Sequence, residues 1–301
     1  MTQLSLDLSA RAAIARLAGR HMVASVSGGK DSAAMSLYLT ELGIEHERMF
    51  LDTGWEHPLT YDYLRGPLTV KLGPITEVRG PLTFEQLVDK KGLFPSRVMR
   101  FCTTELKVLP AQKWLASRAD QLGVELVNAV GIRRAESKAR SLMTEWEWSE
   151  GFDLETWRPL VTWSSDDVRA IHARHGLAMN PLYAMGASRV GCWPCIHARK
   201  SEIALVADID PDRIDLIGRI QDRLNERGAQ RDSALGRPFM PRSMFGYHGG
   251  DDVHHPLTIV ETVQWARSKR GEFQPPGAGE GCMRWGVCET SSDSDNAAGV
   301  A

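Results

Sequence analysis

The chain has no surplus of charge of either sign: 36 Lys and Arg stand against 38 Asp and Glu, a formal net charge of −2 over 301 residues. That balance excludes a global footprint for nucleic acid or an anionic membrane, although it leaves room for a local basic cleft. Apolar runs of membrane-spanning length are absent. The start, MTQLSLDLSARAAIARLAGR, has neither the basic opening nor the apolar core of a secretory signal. A cytoplasmic chain without membrane contact is therefore expected. Cysteine is scarce, with five residues. So few in a chain of this length argue against a disulfide framework and for metal or redox chemistry. Internal repeats are absent too.

What is present is an alternation of strand and helix patterns. MVASVS (22–27) reads as a buried strand, and 31–42 as a helix with Ala33, Ala34, Leu37 and Tyr38 on its apolar side. A second strand, 46–54, ends in Asp52, Thr53 and Gly54, and Pro58 opens a helix to about Leu64. Further strands are expected at 75–78 and 124–133, and helices at 83–90, 104–121 and 166–175, the last capped by Ser164 or Ser165. Such alternation predicts an α/β fold with a doubly wound, mainly parallel sheet. Residues 1–185 form the expected nucleotide-binding domain. Residues 186–290 form a smaller cysteine-bearing C-terminal subdomain, with a loop-like knuckle at 186–202, a helix over 211–227, an aperiodic stretch over 228–256 and a last helix near 257–269. The tail 291–301 is expected to be disordered.

The most specific stretch is SGGKDS, residues 27–32, where the first strand gives way to a helix. In a doubly wound sheet the ligand lies at the carboxyl ends of the strands. Glycines there let backbone N–H groups approach an anion, and the following helix aims its positive end at the same point. Ser27, Gly28, Gly29, Lys30, Asp31 and Ser32, with Ser25 just before, make a candidate phosphate cradle at an exposed strand end, with Lys30 and Asp31 as catalytic candidates too. The plainer alternative is a helix start with Asp31 or Ser32 as a cap. The spacing is not that of a Walker loop.

SGGKDS resembles the signature of the PP-loop ATP pyrophosphatases, which cleave ATP between its α and β phosphates. FLDTGWEHPLTYDYL (50–64), RFCTTELKVLP (100–110), GIRRAESKARS (131–141) and RPLVTWSSDDV with NPLYAMGASRVGCWPC (158–195) are similar to the phosphoadenosine phosphosulfate reductase family. Together these stretches cover most of residues 20–200. The resemblance implies a nucleotide cleft and chemistry on activated sulfur or adenylated intermediates. Sulfonucleotide reductases typically carry a degenerate loop and end in a Glu-Cys-Gly-(Leu/Ile)-His motif. Here the loop is intact, and the late cysteines stand in GCMRWGVCET (281–290). The closer likeness is to cysteine-bearing members such as DNA phosphorothioation sulfur-transfer enzymes.

Cys192 and Cys195 stand at C-x-x-C spacing, which suits a shared metal or cluster. A buried turn, a redox dithiol and a structural zinc knuckle are the alternatives. The resemblance adds Cys102 as a ligand and catalytic candidate, and Cys288, or else Cys282, as the fourth ligand of a 4Fe-4S cluster. Asp31 and Asp52 are candidates for Mg²⁺ or ribose contacts. Arg133, with Arg134, Lys138 and Arg140, follows a strand and is a candidate for phosphate contact, against the solvated loop that such runs usually form. Histidines 172, 175, 254 and 255 show no metal spacing with the cysteines. Trp146, Trp148, Trp157 and Trp163 are read as packing residues. The expected activity is ATP-dependent adenylation of an acceptor, releasing pyrophosphate, coupled to iron–sulfur-dependent sulfur transfer. It implies Mg²⁺, a sulfur donor such as a cysteine desulfurase, and an acceptor among small molecules or nucleic acids, in a monomer or an oligomer. Sulfonucleotide reduction and nucleotide sensing without turnover are the competing classes.

Overall fold

The structure, a computed structural model, describes residues 11–138, 140–245 and 256–268. Cys282, Cys288, His254, His255 and the tail 291–301 lie outside the described residues. Six strands form one sheet: β1 (His21–Ser25), β2 (His46–Asp52), β3 (Thr76–Arg79), β4 (Leu126–Val130), β5 (Trp146–Ser149) and β6 (Leu154–Trp157). Their order is β3-β2-β1-β4-β6-β5. Every neighbouring pair is parallel except β5–β6.

Alternation of side chains builds two cores from this sheet. Met22 and Ala24 of β1, Phe50 of β2 and Val127 and Ala129 of β4 face a layer holding Leu37, Val168 and Ile171. Val23, Met49, Leu51 and Leu126 face the other way, onto Ala111 and Leu115. Strands buried on both faces read as continuous apolar runs, as β1 and β4 do. The helices Lys30–Glu41 and Ser165–His175 cover the first face, and Leu109–Leu122 the second.

Four features differ from the sequence expectation. β5 and β6 form an antiparallel hairpin at the sheet edge, where Trp146 stacks on Trp157 with ring centroids 5.1 Å apart. The end of the knuckle region becomes the helix Lys200–Ile209. The helix Pro211–Ala234 runs past 227 into the stretch read as aperiodic, because Leu224, Gly228 and Asp232 keep a buried side at four-residue spacing. The helix expected over 104–121 starts at Phe101, passes through a wider turn at Thr104–Val108 and continues over Leu109–Leu122.

The C-terminal helices share a core with the sheet domain. Trp55, Phe84 and Leu106 pack with Ile196, Ile217 and Ile220. No helix among the described residues is long and apolar enough to cross a membrane.

Candidate active site

β1 pairs with β2 on one side and with β4 on the other. The chain therefore leaves β1 at a topological switch point, where a crevice opens beyond the carboxyl ends of the strands. SGGKDS lies there. Gly28 has φ +79°, and a Cβ on it would stand 3.0 Å from Thr60 Cγ2. Gly131, at the end of β4, meets the loop so closely that a Cβ would approach Asp31 O to 2.7 Å.

Polar side chains hold the loop in shape. Ser32 Oγ accepts from Ser27 N (3.1 Å) and donates to Gly29 O (3.1 Å). Asn180 Nδ2 donates to Gly28 O (3.2 Å), Lys30 N donates to Tyr183 Oη (3.1 Å), and His172 Nε2 donates to Lys30 O (2.8 Å). Ser25 Oγ donates to Asn128 Oδ1 across β1–β4 (2.9 Å). Gly29 caps the helix Lys30–Glu41 in extended conformation.

Lys30 and Asp31 are buried, in contrast to the exposed strand end expected for them. Asp31, 1% exposed, accepts from Arg133 Nε at 2.5 Å and lies 3.6 Å from Lys30 Nζ. Arg133, equally buried, reaches Ser165 Oγ at 3.3 Å. Arg140 is buried against Glu136 at 2.6 Å rather than solvated. Burial pushes the Glu136 carboxyl up, while Arg140 opposes it. Asp52 accepts from Gly54 N (2.8 Å), Tyr61 Oη (2.7 Å) and Arg79 Nε (2.8 Å). Both carboxylates named for Mg²⁺ thus spend oxygens on protein donors.

A cleft borders the loop at Ser25 and Ser27 and reaches Glu56, Lys107 and Gly191. Lys107 also lines a second cleft, whose walls include Thr53, Cys102, Cys192, Cys195 and His197. The three thiols, Cys102 distant in sequence from the other two, therefore line one cleft. All three are free of disulfides. The turn after β2 anchors them: Trp193 N donates to Trp55 O (2.8 Å) and Trp55 Nε1 to Pro194 O (3.0 Å). Cys192 Sγ lies 3.8 Å from Thr53 Oγ1 and 4.0 Å from Glu56 Oε1. Glu56 also accepts from Thr53 Oγ1 at 2.7 Å and from Tyr61 Oη at 3.0 Å. Burial, with Glu56 and Asp52 nearby, raises the Tyr61 phenol.

Three thiols are a soft donor set that suits iron–sulfur or zinc. Among the described residues, however, no three His, Cys, Asp or Glu gather closely enough to hold an ion. The expected cage is thus unformed among the described residues, and Cys288 lies outside them.

Sequence reasoning missed His172, Asn180, Tyr183, Glu56 and His197. Tyr183 and Asn180 stand inside a quoted stretch, but nothing in their spacing reveals that they brace residues 153 and 152 positions earlier. His197 follows Cys195 by two residues. Burial pushes its imidazole down to about 4, and Arg100, Arg189 and Arg97 push it the same way.

With the loop and the cysteine cleft joined, comparison with known proteins becomes informative. The family model described as the phosphoadenosine phosphosulfate reductase domain matches residues 21–198. The chain belongs to this family. It is 34% identical over 242 residues to an uncharacterized 37.8 kDa protein of Escherichia phage 186, covering 64% of this chain and 72% of that one. It is 33% identical over 165 residues to adenosine 5′-phosphosulfate reductase of Deinococcus radiodurans, covering 53% of this chain and 60% of the relative. A solved phosphoadenylyl-sulfate (PAPS) reductase from Candida auris, in a phosphate complex, is similar at 20% identity and a TM-score of 0.46. That alignment covers 64% of this chain and 96% of the other, and the likeness is one of fold alone.

Proposed function

We propose that this chain binds an adenine nucleotide by its phosphate at SGGKDS and reduces a sulfonucleotide of the adenosine 5′-phosphosulfate type with the thiols of the adjoining cleft. The observation that carries this reading is the junction of the two cavities at Lys107, with Glu56 in the loop cavity in contact with Cys192 in the cleft. The relatives named adenosine 5′-phosphosulfate reductase support the substrate class.

Loop amides and Lys30 hold the nucleotide phosphate. Cys192 gives its proton to Glu56, and the thiolate attacks the sulfur of the sulfate group. The bond from that sulfur to the phosphate oxygen breaks and AMP leaves with the electron pair, so that Cys192 carries an S-sulfonate. Cys195, after losing its proton to solvent, attacks Cys192 Sγ. A disulfide forms and sulfite leaves with the pair. Sulfur falls from the +6 to the +4 state, two thiols are oxidised, and an external dithiol restores them.

Intact-mass spectrometry tests the scheme. Cys195→Ser mixed with adenosine 5′-phosphosulfate should accumulate an S-sulfonated protein, whereas Cys192→Ser should stay unmodified. An unmodified Cys195→Ser protein that still yields sulfite defeats the assignment.

A second reading is favoured by the complete, well-braced loop. It is the adenylation of an acceptor by Mg–ATP with release of pyrophosphate, coupled to sulfur transfer. Cys102, Cys192 and Cys195, with Cys288, would then hold an iron–sulfur cluster, which would supply sulfide or electrons when bound. A sulfur donor such as a cysteine desulfurase and a nucleic-acid acceptor belong to that reading alone.

A further inference from the structure

The proton that Cys192 loses has to pass a wall between two clefts. Cys192 and Thr53 line the cysteine cleft, whereas Glu56 lines the cleft at the loop. Thr53 is 1% exposed and Glu56 3%, so buried side chains rather than bulk water form the path. Hydrogen counting fixes the direction of the bonds along it. A threonine hydroxyl has one hydrogen to give and two lone pairs to receive. Thr53 Oγ1 gives its hydrogen to Glu56 Oε1 at 2.7 Å, the short distance of a bond to a charged acceptor. Trp55 N takes one lone pair at 3.2 Å. Toward Cys192 Sγ, 3.8 Å away, Thr53 then acts as an acceptor of the S–H hydrogen. The direct gap from Cys192 Sγ to Glu56 Oε1 is 4.0 Å, and that oxygen already holds the Thr53 hydrogen.

The far side of Glu56 is arranged to take up a change of charge. Tyr61 Oη, with a single hydrogen, lies 3.0 Å from Glu56 Oε2 and 2.7 Å from Asp52 Oδ1. Once Glu56 is neutral, that hydrogen goes wholly to Asp52, and no charged oxygen loses its donor. Facing the set are Arg213, whose Nη2 donates to Glu56 O at 3.2 Å, Arg79 on Asp52, and Lys107 in the walls of both clefts. Cys102, Cys195 and His197 share the cleft with Cys192.

We propose that Thr53 is the proton-transfer residue between Cys192 and Glu56. The assignment deepens the sulfonucleotide reading above and rests on its choice of Cys192 as the nucleophile. The S–H bond breaks as Thr53 Oγ1 takes the proton, and the Thr53 O–H bond breaks as its own proton passes to Glu56 Oε1. Cys192 is left as the thiolate, Thr53 as a hydroxyl and Glu56 as the acid. A hydroxyl placed this way hands a proton on without changing its own charge, and the base beyond it need not touch the sulfur.

Iodoacetamide alkylation of the reduced full-length protein, followed at each cysteine by tandem mass spectrometry of its peptides, tests this without any nucleotide. Cys192 should react about tenfold more slowly in Thr53→Val, the scale of one charged hydrogen bond. Thr53→Ser, which keeps a hydroxyl, should retain most of the rate, and Cys195 should react alike in all three proteins. In a Glu56→Gln background, Thr53→Val should bring no further slowing, because the two residues act in series. An unchanged Cys192 rate in Thr53→Val, equal slowing of Cys195, a Thr53→Ser protein as slow as Thr53→Val, or a loss that persists without Glu56 overturns the assignment. So does a Cys192 that iodoacetamide leaves unmodified in wild type, since a sulfur held by a metal has no proton to pass. Sulfite release from adenosine 5′-phosphosulfate is measured separately, and its absence beside the expected alkylation rates removes the sulfonucleotide reading alone.

Discussion

Asp31 and Lys30 are neighbours in the loop with different duties. Asp31 neutralises Arg133 in a buried pair, and removing one partner of such a pair costs about 3–5 kcal/mol because the other charge is stranded. Lys30 instead extends its ammonium over the Tyr183 ring, 5.0 Å from the centroid. Asp31→Ala should therefore lower the urea midpoint sharply, whereas Lys30→Ala, which leaves Asp31 its bond to Arg133, should lower it less and abolish nucleotide binding in calorimetry. Equal midpoints for the two variants would contradict the division. His46 makes a second test at this scale. Its Nδ1 donates to Ile44 O and its Nε2 accepts from Ser36 Oγ, both at 2.8 Å, and burial pushes its imidazole down to about 4. The unfolded chain takes a proton near 6.5 that the folded chain refuses until about 4. This contribution to stability is complete above pH 6.5 and declines as pH falls toward 4. Thermal melts should show a shallower decline across that window in His46→Gln than in wild type, and parallel curves would remove His46 from the account.

Among the elements, the short helix Pro181–Ala184 matters beyond its length, because its cap reaches back to the loop. Asn180 Oδ1 accepts from Leu182 N at 3.0 Å while Nδ2 holds Gly28 O. Asn180→Ala leaves both groups unmet, a loss of about 1–3 kcal/mol, and loosens the cradle. Its nucleotide Kd should rise several-fold; an unchanged Kd in a folded variant would show that the loop keeps its shape alone. This kind of contact explains what the sequence could and could not convey. Strands β1 and β4 were legible because burial on both faces leaves a nearly continuous apolar run. The β5–β6 hairpin was not, since Trp146 and Trp148 admit several packings and only Trp157 across the pair selects one. The helix Lys200–Ile209 was hidden by its polar start, where Glu202 closes a capping box on Arg199. SGGKDS and C-W-P-C announced themselves by composition, but the braces of His172, Asn180 and Tyr183 depend on tertiary contacts with no local signature.

At the scale of the whole molecule, the carboxyl ends of the strands bring two sequence signals together. SGGKDS stands at the β1 switch point, and the turn after β2 ties the Cys192–Cys195 segment to the same end of the sheet. Cys102 arrives there from the start of the helix that covers the opposite face of the sheet. The central claim is that this end of the sheet consumes a sulfonucleotide. It is tested most directly by incubating full-length, anaerobically purified protein with adenosine 5′-phosphosulfate and a dithiol, and in parallel with Mg–ATP, and quantifying sulfite, AMP and pyrophosphate. The account predicts sulfite and AMP in equal amounts from the sulfonucleotide and no pyrophosphate from ATP. Pyrophosphate from ATP, with no sulfite from the sulfonucleotide, would contradict it.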